Sequence, residues 1–333
     1  MLVFISIFAP QKKYCMNKIL ITGVAGFIGS HLAKSLIEKG HDVIGIDIKD
    51  IAHNDMMGSL VVNSSFTYVK KDVRKVGVFD IIRWSPTHIV HLAAVPGVRA
   101  SKGEEVPYFK SNIEGFFSMI NSTYWSRLNV KFIYASSSSV YNHSNDDILP
   151  MHPFSEIHSS IDMPSSFYAL SKKTNEEMAS FYAQKYGMKT IGLRFFSVYG
   201  ENGRHDMFPY IAAKKIMNKE RIDIDDSLDT KRDFTYVGDI VEAIERVMFT
   251  TPPSEPSNAL YNIGSGEPHS LGDMIREMED YYGIGAIVNE KHMKEEFNPE
   301  YTYADMSLYK KRYGNIIMTP FKAGIHKMLK NLE

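Results

Sequence analysis

Four consecutive serines, Ser136 to Ser139, close an apolar and aromatic run that begins at Val130. Tyr168 and Lys172 follow at the head of a stretch with helical spacing, four residues apart and so on one helix face. An ammonium beside a phenol lowers the phenol's pKa toward neutrality. Such a phenolate can take a proton from an alcohol while hydride leaves the same carbon, with a serine hydroxyl holding the oxygen. The pair alone carries little, because Tyr14/Lys18 and Tyr210/Lys214 repeat it. Tyr14/Lys18 precedes the first strand and Tyr210/Lys214 falls in another part of the chain. Only Tyr168/Lys172 follows a serine-tipped strand.

Hydride chemistry needs a carrier, and the start of the chain supplies a place for one. Ile19 to Ile21 is an apolar run without a polar break, as in a parallel strand buried on both faces. Gly23, Gly26 and Gly29 follow at intervals of three, with Phe27 and Ile28 between the last two. Ser30 to Lys39 reads as a helix carrying Leu32, Ala33, Leu36 and Ile37 on one side, stopped by Gly40. A glycine turn between strand and helix lets backbone N–H groups approach a pyrophosphate. A second strand, Asp42 to Ile46, ends at Asp47, placed to accept both ribose hydroxyls of an adenosine. Asp47 repels a 2′-phosphate, so the expected cofactor is NAD rather than NADP, with Lys49 the one residue nearby that softens the repulsion.

Further strands are expected at Phe66–Val69, Thr87–His91, Val130–Tyr134 and Lys189–Leu193, with helices at Val78–Trp84, Val106–Tyr124 and Tyr168–Tyr186. Asp72 and Val73 follow the third strand and can face the adenine. Leu92, Ala93 and Ala94 follow the fourth, small enough for backbone to lie close to the cofactor. This alternation predicts an α/β fold, a doubly wound parallel sheet with a smaller C-terminal α/β substrate lobe. The expected division is 16–193, with 234–264 returning to it, for the cofactor domain, and 194–233 with 265–333 for the substrate lobe. Residues 142–166 read as a surface loop over the site.

Composition narrows the class. The chain has 333 residues, 38 basic and 39 acidic, for a formal net charge of −1. That length predicts two lobes, and the balance gives no hint of a nucleic-acid or membrane partner. One cysteine, Cys15, excludes an internal disulfide framework and a cysteine-based metal site, and a reducing cytoplasm is the expected setting. Twelve histidines occur, none in a metal-ligand spacing, so no metal is expected. Residues 1–15 read as a disordered tail or the product of an upstream start, since Val3–Ala9 is too short to span a bilayer.

The spacing GxxGxxG with Ser137, Tyr168 and Lys172 resembles the extended short-chain dehydrogenase/reductases, in particular their nucleotide-sugar epimerases and dehydratases. Several stretches resemble the UDP-glucuronate 4-epimerases most: His91–Arg99, Pro153–Glu156, Tyr168–Glu176, Arg194–Gly200, Gly203–Met207, Arg232–Tyr236 and Tyr261–Gly264. The resemblance implies Ser137, Tyr168 and Lys172 as catalytic residues. It also implies Ser138, Ser139, Ser197 and Arg204 around a sugar carboxylate, Arg99 on the substrate side and Arg232 on the diphosphate. A homodimer through the helices at 106–124 and 168–186 is implied too. The 4,6-dehydratases carry an Asp-Glu pair where this chain has serines, and the decarboxylases usually carry a glutamate where it has Ser139. The resemblance therefore implies NAD-dependent 4-epimerisation of a UDP-sugar through a transient 4-ketone, UDP-glucuronate to UDP-galacturonate first of all. A neutral UDP-hexose epimerase, a UDP-glucuronate decarboxylase and a non-catalytic NAD-binding sensor are the alternatives. His205, Phe208 and Phe297–Tyr303 depart from the expected pattern on the substrate side.

Overall fold

The computed structural model describes residues 16–50, 55–97, 103–141, 155–156, 164–225, 227–253, 255–291 and 301–333. The 1–15 tail, Arg99 and most of the 142–166 loop lie outside the described residues. The strands are β1 (Lys18–Thr22), β2 (Asp42–Asp47), β3 (Phe66–Lys70), β4 (His88–His91), β5 (Lys131–Ser137), β6 (Lys189–Phe195), β7 (Ser197–Tyr199), β8 (Arg221–Ile224), β9 (Lys231–Tyr236), β10 (Asn258–Ile263), β11 (Pro268–Ser270) and β12 (Ile287–Glu290). The helices are α1 (Phe27–Glu38), α2 (Asp55–Val61), α3 (Val78–Trp84), α4 (Glu105–Tyr108), α5 (Gly115–Trp125), α6 (Phe167–Tyr186), α7 (Phe208–Met217), α8 (Val237–Phe249), α9 (Leu271–Tyr282), α10 (Ser307–Tyr313) and α11 (Phe321–Lys330).

The main sheet runs β10-β6-β5-β4-β1-β2-β3, parallel throughout. Its strands alternate between two cores. Ile19 and Ile21 point to the face covered by α1 and α8, with Leu32, Leu36, Ile240 and Ile244. Leu20 points to the opposite face, with Phe116, Ile120, Ala179 and Tyr182 of α5 and α6. Burying an aliphatic side chain of this size stabilises by roughly 1.5–3 kcal/mol, so slipping β1 by one residue would exchange its two cores at a large cost. Chain order reverses between β1 and β4, and the carboxyl ends of these strands open a crevice there.

A third core, with Phe234, Met274, Met278 and Ile325, holds the smaller lobe. Residues 258–263 add the seventh strand to the main sheet, whereas β9 pairs with β7 and β11.

The helix expected at 106–124 is interrupted. Residues Phe109–Glu114 form a π-helical segment between α4 and α5. Buried Asn112 is the cause the geometry offers. Its amide donates to the Val95 carbonyl at 3.0 Å and to Ser171 Oγ at 3.1 Å, and its carbonyl accepts from Val95 N at 2.7 Å. Such bulges re-aim side chains and are frequent at functional sites.

Candidate active site

The turn after β1 is built to bring backbone close to backbone. Gly23 sits at φ +73°, and a Cβ there would lie 2.8 Å from Ala93 N, in the loop after β4. A Cβ on Gly29 would lie 2.3 Å from the Gly23 carbonyl oxygen, so α1 starts against the turn only with glycine there. Gly26 is the N-cap of α1, no side chain caps its amides, and its first turn has no acidic residue. That end therefore keeps the positive partial charge that favours an anion. Phe27 and Ile28 open the helix, packed against the core. Thr22 ties the turn to Leu92–Ala94: its hydroxyl accepts from Ala93 N at 3.2 Å and pairs with His91 Nδ1 at 2.8 Å. Burial pushes the His91 pKa down to about 3, so the ring is neutral.

Asp47 is held from three sides. Its carboxylate accepts from Ala25 N at 3.0 Å, Ile48 N at 2.8 Å and Lys49 N at 3.1 Å. These three backbone donors fix the carboxylate at the end of β2 with acceptor capacity left for a ribose. Asp72 caps the turn that follows it and binds the Arg74 guanidinium through both oxygens. Hydrogen bonding to Arg74 lowers its pKa. Val73 buries its side chain in the core, against Gly115, so only its backbone can face a base. The residues present fit a dinucleotide: side chains at Gly23 and Gly29 would collide with backbone, and Asp47 is fixed with an acceptor to spare.

Ser137, Tyr168 and Lys172 meet at the tip of β5. Ser166 caps α6, accepting from Ala169 N at 3.1 Å, which sets Tyr168 in the first turn. The Ser137 hydroxyl stands beside the Tyr168 phenol and opposes the rise in its pKa. Ser137 Oγ also accepts from Ser139 N at 3.2 Å and Ser139 Oγ at 2.9 Å, which leaves its own proton for Tyr168. Lys172 is buried, donates to the Ala135 carbonyl at 2.8 Å and stands 5.7 Å from the Tyr168 ring centroid. Burial pushes its pKa down to about 8, opposed by the Glu176 charge.

Burial raises the Tyr168 pKa above the ordinary phenol value, while the Ser137 hydroxyl and the Arg204 charge oppose the rise.

Arg204 lies near this cluster. One of its terminal nitrogens would be 3.4 Å from a Cβ on Gly97, and its charge acts on Tyr108 and Tyr168. Its fork is engaged by Asp206, Nε to Oδ1 at 3.0 Å and the terminal nitrogen to Oδ2 at 2.5 Å. Ser138 opens a short 3₁₀ turn with Ser139, and Ser197 begins β7. Arg232 sits on β9, its guanidinium donating to the Lys231 carbonyl at 3.0 Å. Arg99 is not among the described residues. Asn112, Glu176 and Arg194 contact the cluster's supports and were not singled out from sequence. A polar Asn112 inside the apolar stripe Phe109, Ile113, Phe116 was the one available signal.

The pattern of the NAD dependent epimerase/dehydratase family matches residues 19–264. Protein CapI of Staphylococcus aureus is 41% identical over 314 residues, covering 87% of this chain and 90% of that protein. UDP-glucuronate 4-epimerase 6 of Arabidopsis thaliana is 34% identical over 334 residues, covering 94% of this chain and 70% of that protein. A crystal structure of UDP-glucuronic acid 4-epimerase from Bacillus cereus, in complex with UDP-glucuronic acid and NAD, superposes with a TM-score of 0.84. It is 28% identical and covers 95% of this chain and 98% of that one.

Proposed function

Since this chain belongs to the NAD dependent epimerase/dehydratase family, we propose that it interconverts UDP-glucuronate and UDP-galacturonate by epimerisation at C4. Bound NAD would supply the hydride acceptor and donor for C4. The Gly23–Gly29 turn, Asp47 and the Leu92–Ala94 backbone hold it.

The carrying observation is Tyr168 beside Ser137 and buried Lys172, with the Arg204 charge acting on the same phenol. Tyr168 takes the O4 proton as the ketone forms and returns it when the ketone is reduced. Ser137 holds the same oxygen. Burial raises the pKa of Tyr168, so a cation must be close to it in the reacting complex, and Lys172 on the same helix face and Arg204 are the two in reach.

The ketone stands β to the C6 carboxylate, and β-keto acids lose CO₂ when the breaking bond aligns with the carbonyl. A guanidinium grips both carboxylate oxygens in a planar fork and restricts that rotation. We assign this to Arg204, with Ser138, Ser139 and Ser197 as further donors, Arg232 on the diphosphate and Arg99 on the substrate side. The substrate carboxylate then takes the place of Asp206.

We further assign a homodimer. Phe109, Phe117, Phe181 and Tyr186 stand exposed along the 105–125 segment and α6, which pack together through the Tyr124–Tyr186 ring stack at 4.4 Å. We place the protein in the cytoplasm on the single cysteine and the absence, among the described residues, of a helix able to cross a membrane. Incubation with UDP-glucuronate, UDP-glucose and UDP-N-acetylglucosamine, read by NMR, tests the activity. UDP-galacturonate with little pentose is expected, and turnover of the neutral sugars alone would overturn the assignment.

A further inference from the structure

We propose that Glu176 is a positioning residue for this site, tying helix α6 to the strands that carry it and supplying the counter-charge of Lys172. The proposal deepens the assignment of Tyr168 and Lys172 above and rests on it.

Glu176 is buried and lies one helical turn beyond Lys172 and two beyond Tyr168, on the same face. It accepts from Ser136 Oγ at 2.6 Å. Arg194 of β6 grips it with two hydrogen bonds of 2.8 Å, Nε to Oε1 and a terminal nitrogen to Oε2. Three successive residues of β5 thus each hold one side chain of α6. The Ala135 carbonyl holds Lys172, the Ser136 hydroxyl holds Glu176 and Ser137 meets Tyr168. A helix slide that broke one of these contacts would break all three.

The charges around Lys172 make the second half of the case. Tyr168 and Glu176 stand on its own helix. On the strands, His91 of β4 is neutral, and Arg194 of β6 is cationic and reaches the site through Glu176. Glu176 is therefore the carboxylate whose charge opposes the fall of the Lys172 pKa to about 8 that burial imposes.

The test is the double variant Glu176→Met/Arg194→Met in the NAD-loaded protein. Removing both charges of a buried pair together is often neutral for folding. The Lys172 titration is read directly by NMR of ¹³Cε-labelled lysine, assigned with Lys172→Ala, and kcat is followed against pH. Wild-type turnover should fall as pH rises through about 8. In the double variant the NMR midpoint and the alkaline limb should both move toward acid by about one pH unit. Glu176→Asp keeps the charge and should keep the wild-type midpoint while kcat drops. A folded double variant with the wild-type midpoint and limb would reduce Glu176 to a structural ion pair and overturn the proposal. If the double variant does not fold, Glu176→Gln carries the same test, since Gln Oε1 still accepts from Ser136 and Arg194 Nε and only the second Arg194 bond is lost. The NMR midpoint needs no turnover, so the proposal can fail separately from the catalytic assignment.

Discussion

Lys172→Met should stabilise this protein and stop its turnover. In the folded chain the ammonium is buried with the Ala135 carbonyl as acceptor, and its pKa is about 8 against an ordinary 10.5. A lysine whose folded pKa lies below its unfolded value binds its proton more weakly in the native state. The unfolded state therefore holds more protons between pH 8 and 10.5. That difference, about 2.5 in pKa, costs folding about 3 kcal/mol at neutral pH. The cost is fully present below pH 8, shrinks as pH rises and is gone above about pH 10.5. Methionine fills a similar volume without charge but leaves the Ala135 carbonyl short of a donor, at about 1 kcal/mol. The expected net gain is about 2 kcal/mol at pH 6.5 and near zero at pH 9.5. Urea denaturation at both pH values, with NAD at one fixed concentration because ligand adds stability of its own, measures it. A variant no more stable than wild type at pH 6.5 would show that the lysine is not held charged at a cost. Retained turnover would remove Lys172 from the mechanism.

Tyr168→Phe keeps the ring and deletes the proton acceptor, so UDP-glucuronate turnover should fall about 10²–10⁴-fold, while denaturation still releases NAD. Unchanged turnover by NMR would favour the sensor alternative. Arg204→Ala should weaken uronate binding and divert a larger share of product to UDP-4-keto-pentose and CO₂; a wild-type product ratio would mean that Arg204 does not restrain the carboxylate. Buried His91 and half-buried His88 have pKa values lowered by desolvation to about 3 and about 4. Below the ordinary 6.5 the unfolded chain takes up protons that these rings refuse. Stability should therefore decline as pH falls from about 6.5 toward 4, and a flat Tm by calorimetry across that range would contradict the burial of both rings.

What the sequence determined was local in the chain. Ile19–Ile21, the three glycines and Asp47 lie within 30 residues and could be read as strand, turn, helix and strand, because each is fixed by period and by neighbours. The Tyr168–Lys172 spacing needs only helix geometry. The alternation of elements predicted a doubly wound sheet, and the resemblance carried by short motifs pointed to the nucleotide-sugar epimerases.

Tertiary structure decided whatever depends on groups far apart along the chain. The π-helical break at Phe109–Glu114 follows from Asn112, whose partners Val95 and Ser171 lie 17 and 59 residues away. Glu176 stands between Ser136 and Arg194 only because β5 and β6 are neighbours in the sheet. The sequence placed a lysine near the phenol but not the direction of its ammonium, nor the burial that raises the Tyr168 pKa. Periodicity is a property of adjacent residues, whereas desolvation and charge pairing depend on distances that exist only once the sheet has closed the chain upon itself.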